Sequence, residues 1–212
     1  LGRAAMPLLK GTASYTRFRA ELSDERNLTS DFILEGLRLH AFQPIAVQGE
    51  DERSAGFVEI EKHDSVDFPP SSVFQDDWMV FAWRIDTIRI SSAQLREELA
   101  AWAQNFEGEH ERAPSRFEKA EAKDALRREL RAVTPPATKT FDVSWNMSTG
   151  AVQVFSLSRK VVDEIQAALE KTFSCRLIPR SPMVLFDEAG LSDASMKPTP
   201  ELCWPGMSAD GH

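Results

Sequence analysis

The chain has 212 residues, 42% hydrophobic and 27% charged, with a formal net charge of −8. Such a composition is globular, and the length holds one large domain or two small ones that bury roughly 70% of the unfolded surface. The acidic total argues against indiscriminate coating of nucleic acid or of an anionic membrane, because the long-range field repels both. A focused basic patch stays compatible with it, since salt confines charge effects to about 10 Å.

In chain order, LGRAA ahead of Met6 reads as an expression remnant, so residues 1–5 stand outside the expected domain. Residues 10–20 (KGTASYTRFRA) mix Thr, Tyr and Phe with polar partners and predict a strand. Capping residues at 27–31 precede a helix carrying Phe32, Ile33, Leu37 and Leu39. Short strands are expected at 42–47 and 56–60, separated by the acidic turn GEDERSAG, and residues 64–75, with Pro69 and Pro70, read as loop.

Residues 78–91 (WMVFAWRIDTIRIS) give the clearest strand. Phe81, Trp83, Ile85, Thr87 and Arg89 share one face; Val80, Ala82, Arg84, Asp86, Ile88 and Ile90 share the other. Ser91 or Ser92 caps a helix whose Leu95, Leu99, Trp102 and Phe106 recur at helical steps, and Gly108 is expected to break it. Pro114 suits the first turn of the next helix, which Pro135 and Pro136 end. Residues 138–146 and 151–157 predict a hairpin around the turn at 147–150. Ser158 caps a further helix with Val161, Val162, Ile165, Leu169 and Phe173 as its buried stripe, and residues 175–178 form a last strand. Residues 183–212 read as a Pro-rich tail. The order β-α-β-β-α-α-β-β-α-β predicts an α+β domain over residues 6–182 with a largely antiparallel sheet and a helical excursion at about 92–134.

That excursion holds the main functional signal. In residues 115–134 (SRFEKAEAKDALRRELRAVT), Arg116, Lys119, Lys123, Arg127 and Arg131 recur at steps of three and four. At 100° per residue they fall within an arc of roughly 120°, beside an apolar stripe of Ala122, Leu126, Leu130 and Val133. A helix apolar on one flank and cationic on the next can dock on a core and offer a line of charge to a phosphate backbone. The plain alternative is a solvated charged face with ordinary intrahelical pairs.

Other chemistry is thinly represented. The two cysteines, Cys175 and Cys203, make no disulfide framework; Cys175 reads as a small core residue and Cys203 as an incidental thiol. His40, His63, His110 and His212 lack zinc-ligand spacing, phosphate-loop and dinucleotide glycine patterns are missing, and no cofactor is expected. Asp86 and Asp142 are the best pair for a metal-dependent nuclease, and their plainer reading is ion pairing with Arg84, Arg89 or Lys139. Trp83, Trp102 and Trp145 sit on periodic elements as core or interface residues, whereas Trp204 in the tail is an anchor candidate for a partner. These features predict a binding protein with no enzymatic activity. Sparse cysteine use and no stretch near the roughly 20 apolar residues of a membrane span point to the cytoplasm.

Several segments in one order, MPLLKGTASYTRFRAE, HAFQPI followed by ERSAGFV, FAWRIDTIRIS, EKAEAKDALRREL, WNMSTGAVQVFSLS and EIQAALEKTFSCRLIPRSP, resemble the RdgC family of recombination-associated proteins. The resemblance covers residues 6–182. It implies a non-enzymatic, sequence-independent binder of double-stranded DNA that forms a ring-like homodimer with a basic hole. It further implies a nucleoid-associated role in recombination or replication and restraint of the RecA recombinase. Carried onto the matching helix, the DNA-contacting residues are Lys119, Lys123, Arg127, Arg128 and Arg131, with Lys139 beyond it; Arg116 joins them as the first cation of the periodic row, and Arg84 and Arg89 are weaker candidates. The family's longer members continue for another domain, so the expectation is a short member without that portion. Where the family follows its basic helix with Pro, Arg and an aromatic residue, this chain has Thr134, Pro135, Pro136 and Ala137. The competing expectation is a protein-interaction module without DNA binding, working through its acidic surface or the tail around Trp204.

Overall fold

A computed structural model of the chain describes residues 14–22, 29–46, 49–181, 184 and 190. Its elements run β1 (Thr16–Leu22), α1 (Ser30–Leu39), β2 (Arg53–Val58), α2 (Pro70–Val73), β3 (Phe74–Gln75), β4 (Trp78–Thr87), α3 (Ser92–His110), α4 (Arg116–Val133), β5 (Ala137–Asn146), β6 (Ala151–Val154), α5 (Arg159–Phe173) and β7 (Cys175–Pro179). All strands join one antiparallel sheet in the order β2-β4-β5-β6-β1-β7, with β3 added beside β4. The expected α+β class holds.

The two-residue period of β4 decides which face is core. Met79, Phe81 and Trp83 point inward and are at most 6% exposed, as do Val143 and Trp145 of β5, Val152 and Val154 of β6 and Phe18 of β1. On that face lie α1, through Ile33, Leu34 and Leu37, and α5, through Val162, Ile165, Leu169 and Phe173. Trp145 meets Phe173 edge-on at 5.5 Å, so the longest strand pair is locked to the helix by an aromatic contact. Trp83 and Trp145 are core residues, and so is Cys175, whose thiol burial pushes up to about 11.

Several boundaries differ from expectation. Residues 42–46 form no strand: Phe42 N–H donates to Phe57 O and Phe57 N–H donates to His40 O, so the segment crosses over Gly56. A Cβ on Gly56 would lie 2.4 Å from the Phe42 backbone, and only glycine allows that approach. Within the expected loop 64–75, Pro70 opens the short α2 and Phe74 pairs with Met79. Gly108 does not break α3, which runs to His110 and ends at Glu111 with φ 53°. The His110 ring stacks on Phe106 at 4.1 Å, holding the last turn together. β4 stops at Thr87, short of the expected 91. Trp204 and Cys203 lie outside the described residues, as does most of the expected tail.

Candidate nucleic-acid interface

The helices α3 and α4 form an antiparallel hairpin inserted between β4 and β5, packed chiefly on each other. No residue of α3 is buried; Leu95, Leu99, Trp102 and Phe106 are half-buried. An α-hairpin standing off the sheet leaves most of its surface to solvent, and this sets how the cations of α4 are presented.

The N-terminus of α4 is fixed by a capping box. Ser115 Oγ accepts from the Glu118 N–H at 3.3 Å, and a Glu118 carboxylate oxygen accepts from the Ser115 N–H at 2.8 Å. Arg112 grips the same carboxylate with two bonds of 2.9 and 2.6 Å while stacking over Phe106. The Arg112 hydrogen bonds, followed by those from Ser115, hold the Glu118 carboxyl far below the usual carboxylate range. Pro114 is buried just before the cap instead of sitting in the first turn.

The C-terminal end is fixed differently. Arg131 was expected in the exposed row, yet it is only 7% exposed. Its guanidinium donates to Ala46 O at 2.9 Å and Asp51 O at 2.6 Å, so the side chain ties α4 to the loop before β2. It is a structural tether and does not face a ligand. In the same loop Glu52 accepts from Arg127 at 2.5 Å, an ion pair between half-exposed side chains. A groove of about 1080 Å³ between loop and helix is lined by Glu50, Glu52, Asp124, Arg127 and Arg128, and so carries both signs of charge. Val133, expected in the apolar stripe, is 75% exposed; Ala122 and Leu130 are buried.

The open part of the row is therefore its N-terminal portion. Arg116, Lys119 and Lys123 are exposed and make no ion pair among the described residues. Arg128 is exposed to one side, its Nε donating to Asp124 O at 3.3 Å. Lys139 is exposed on β5 in register with Ile85, separate from the helical row. Phe117, 72% exposed, lies beside these cations near the hairpin turn; the sequence reading assigned it no role.

The candidate acids do not converge. Asp86 is paired in register with Thr138 and Ala82 with Asp142, so the two carboxylates share a face but stand four residues apart. That is roughly 13 Å along the strands, against the ~4 Å between ions in two-metal sites. Asp86 is 3% exposed and accepts from Arg84 at 2.9 and 2.8 Å. Burial pushes its carboxyl up, but the Arg84 and Thr138 hydrogen bonds and the Arg84 charge outweigh that and hold it low. Arg84 also donates to His63 O at 2.9 Å, pairs with Asp64 and covers Phe42, so it is occupied as well. Among the described residues no group of His, Cys, Asp and Glu is arranged to hold a metal ion, and no helix is long and apolar enough to cross a membrane.

A family model described as "RdgC: Putative exonuclease, RdgC" matches residues 16–186, a span that takes in every strand and helix from β1 to β7. No curated protein matches the chain.

Proposed function

The chain belongs to the RdgC family, and on that premise we propose that it binds double-stranded DNA without sequence preference and without catalysing a reaction. The family is recombination-related. The finer reading is a nucleoid-associated protein of the cytoplasm that coats duplex DNA during recombination or replication and so restrains RecA. One observation carries the DNA part: Arg116, Lys119 and Lys123 stand exposed, with no ion pair among the described residues, on a hairpin whose two helices pack chiefly on each other. Their Cα positions span roughly 10 Å of helix, about three base-pair steps. Contacts of this kind position a duplex without reading its bases.

The non-enzymatic part is supported by the separation of Asp86 from Asp142 and by the Arg84 pairing that occupies Asp86. Exposed Phe117 beside the cations supports association of two copies through the hairpins, which brings two cationic rows to one ligand. The test is duplex binding by the full chain across a salt series. Salt-sensitive binding of any sequence, abolished by Lys123→Glu with Arg127→Glu in a folded protein, is expected. Binding that ignores salt or survives the double substitution returns the chain to the protein-interaction reading.

A further inference from the structure

β7 ends the sheet, and among the described residues no strand lies on its far side. An edge strand turns the N–H and C=O of every second residue away from its one neighbour, and such groups are a template for a further strand. In β7 that residue is Leu177, whose side chain is buried in the core. It stands in register with Ala20 of β1, yet its main-chain groups turn the other way. The Leu177 N–H donates to Glu170 Oε1 at 2.8 Å, and its C=O accepts from Gln166 Nε2 at 3.2 Å.

The two partners are one helical turn apart on α5 and half-buried, and Gln166 Nε2 also donates to Glu170 Oε1 at 3.0 Å. A carboxylate oxygen and an amide N–H held side by side supply the acceptor and donor that a neighbouring strand would bring. Pro179, two residues beyond Leu177, faces the same side and has no N–H to offer.

The opposite edge is filled by other means. On β2, Phe57 N–H donates to His40 O at 3.1 Å and Phe57 O accepts from Phe42 N–H at 2.9 Å. Main chain occupies that rung, held by the close crossing at Gly56. Freeing it requires residues 40–42 to unfold, whereas freeing Leu177 requires only two side chains to rotate.

We infer that Gln166 and Glu170 form a latch on β7: closed, it refuses a further strand, and opened, the edge takes β7 of a second copy of this chain. The occupant follows from self-complementarity. Two such edges related by a two-fold axis run antiparallel, so Leu177 of one copy meets the same residue of the other and they exchange both bonds. Arg176 of one copy then lies opposite Ile178 of the other, which keeps like charges from facing across the pair. The missing Pro179 N–H shortens the ladder, so a latch of two side chains suffices to hold it off. This device goes beyond the duplex reading and does not depend on α4.

The experiment follows amide hydrogen exchange residue by residue by NMR, beside sedimentation, on the full chain. Glu170→Ala should speed Leu177 exchange at least about tenfold, as expected for loss of a hydrogen bond to a charged group. Ile178, whose N–H faces β1 by alternation, should change less than about twofold. Glu170→Gln keeps an acceptor oxygen and should keep the protection. Gln166→Ala with Glu170→Ala should form a species of twice the parent's mass as concentration is raised, and Leu177 exchange should slow again there. Unchanged Leu177 exchange in Glu170→Ala, or equal acceleration at Ile178, which reports opening of the whole strand, overturns the latch. A double variant that keeps the parent's mass, or that associates while Leu177 stays fast, overturns the second copy as its occupant.

Discussion

Replacing Lys119 and Lys123 with alanine tests the cationic helix through a quantity that folding defects do not imitate. Arg116, Lys119, Lys123 and Arg128 are the exposed α4 cations outside any ion pair among the described residues. If each neutralises one phosphate, log affinity falls against log salt with a slope of about −3.6 per chain, four contacts at ~0.9. Between 50 and 200 mM salt that is a loss of about 150-fold, whereas the double variant, with two contacts, has a slope of about −1.8 and loses only about 12-fold. The slope halves whether one copy or two engage the duplex. Both lysines are exposed and alanine is the strongest helix former, so stability should stay within about 0.5 kcal/mol. Fluorescence anisotropy with two 20-base-pair duplexes of unrelated sequence, each titrated at several salt concentrations, measures slope and sequence dependence together. A variant slope equal to the parent's, or affinities that differ tenfold between the duplexes, refutes the reasoning.

Glu52→Gln releases Arg127 from its ion pair; exposed pairs are worth about 0.2–1 kcal/mol, so duplex affinity should rise up to about fivefold and the slope steepen by about 0.9 in the same titration. Arg131→Ala removes the guanidinium donor from the Asp51 carbonyl and leaves Ala46 O with the Gly49 N–H, and should cost about 1–3 kcal/mol in urea unfolding, unlike the lysine changes on the same helix. Arg84→Leu removes the group that holds the Asp86 carboxyl below its ordinary 3.8. The parent pair stabilises above that value and loses its contribution as pH falls through the lower folded value. In the variant burial raises the carboxyl instead, so the deficit should be about 3–5 kcal/mol at pH 7 and shrink on acidification; an equal deficit at pH 7 and pH 4 counts against the account.

The sequence was legible where one local period governed burial. The alternation of β4 assigns Phe81 and Trp83 inward and Arg84 and Asp86 outward, and the stripe of α5 is buried at Val162, Ile165, Leu169 and Phe173. It was opaque where burial depends on distant chain. Arg131 and Lys123 are equivalent in helical spacing, but residues 80 and 85 positions away accept hydrogen bonds from Arg131 alone. Arg127 meets a carboxylate 75 positions away. The apolar residues at 42–47 resemble a strand until the close crossing at Gly56 is known.

These non-local contacts narrow the duplex footprint to the end of α4 near the hairpin turn, because the acidic loop closes the other end. Three to four phosphate contacts per chain give weak binding at physiological salt, so the proposed coating role requires two rows on one duplex. A linked second row acts at high effective concentration and multiplies affinity without new chemistry. Phe117, 72% exposed between Arg116 and the capping glutamate Glu118, is positioned to decide this. Phe117→Glu places a charge where two hairpins would meet and leaves the buried core untouched. Sedimentation should then report a monomer where the parent is a dimer, and the salt slope should fall from about −7 to about −3.6. The two readouts must move together: a variant that remains dimeric, or one that becomes monomeric with the parent slope, removes the hairpin from the dimer and the second row from the duplex.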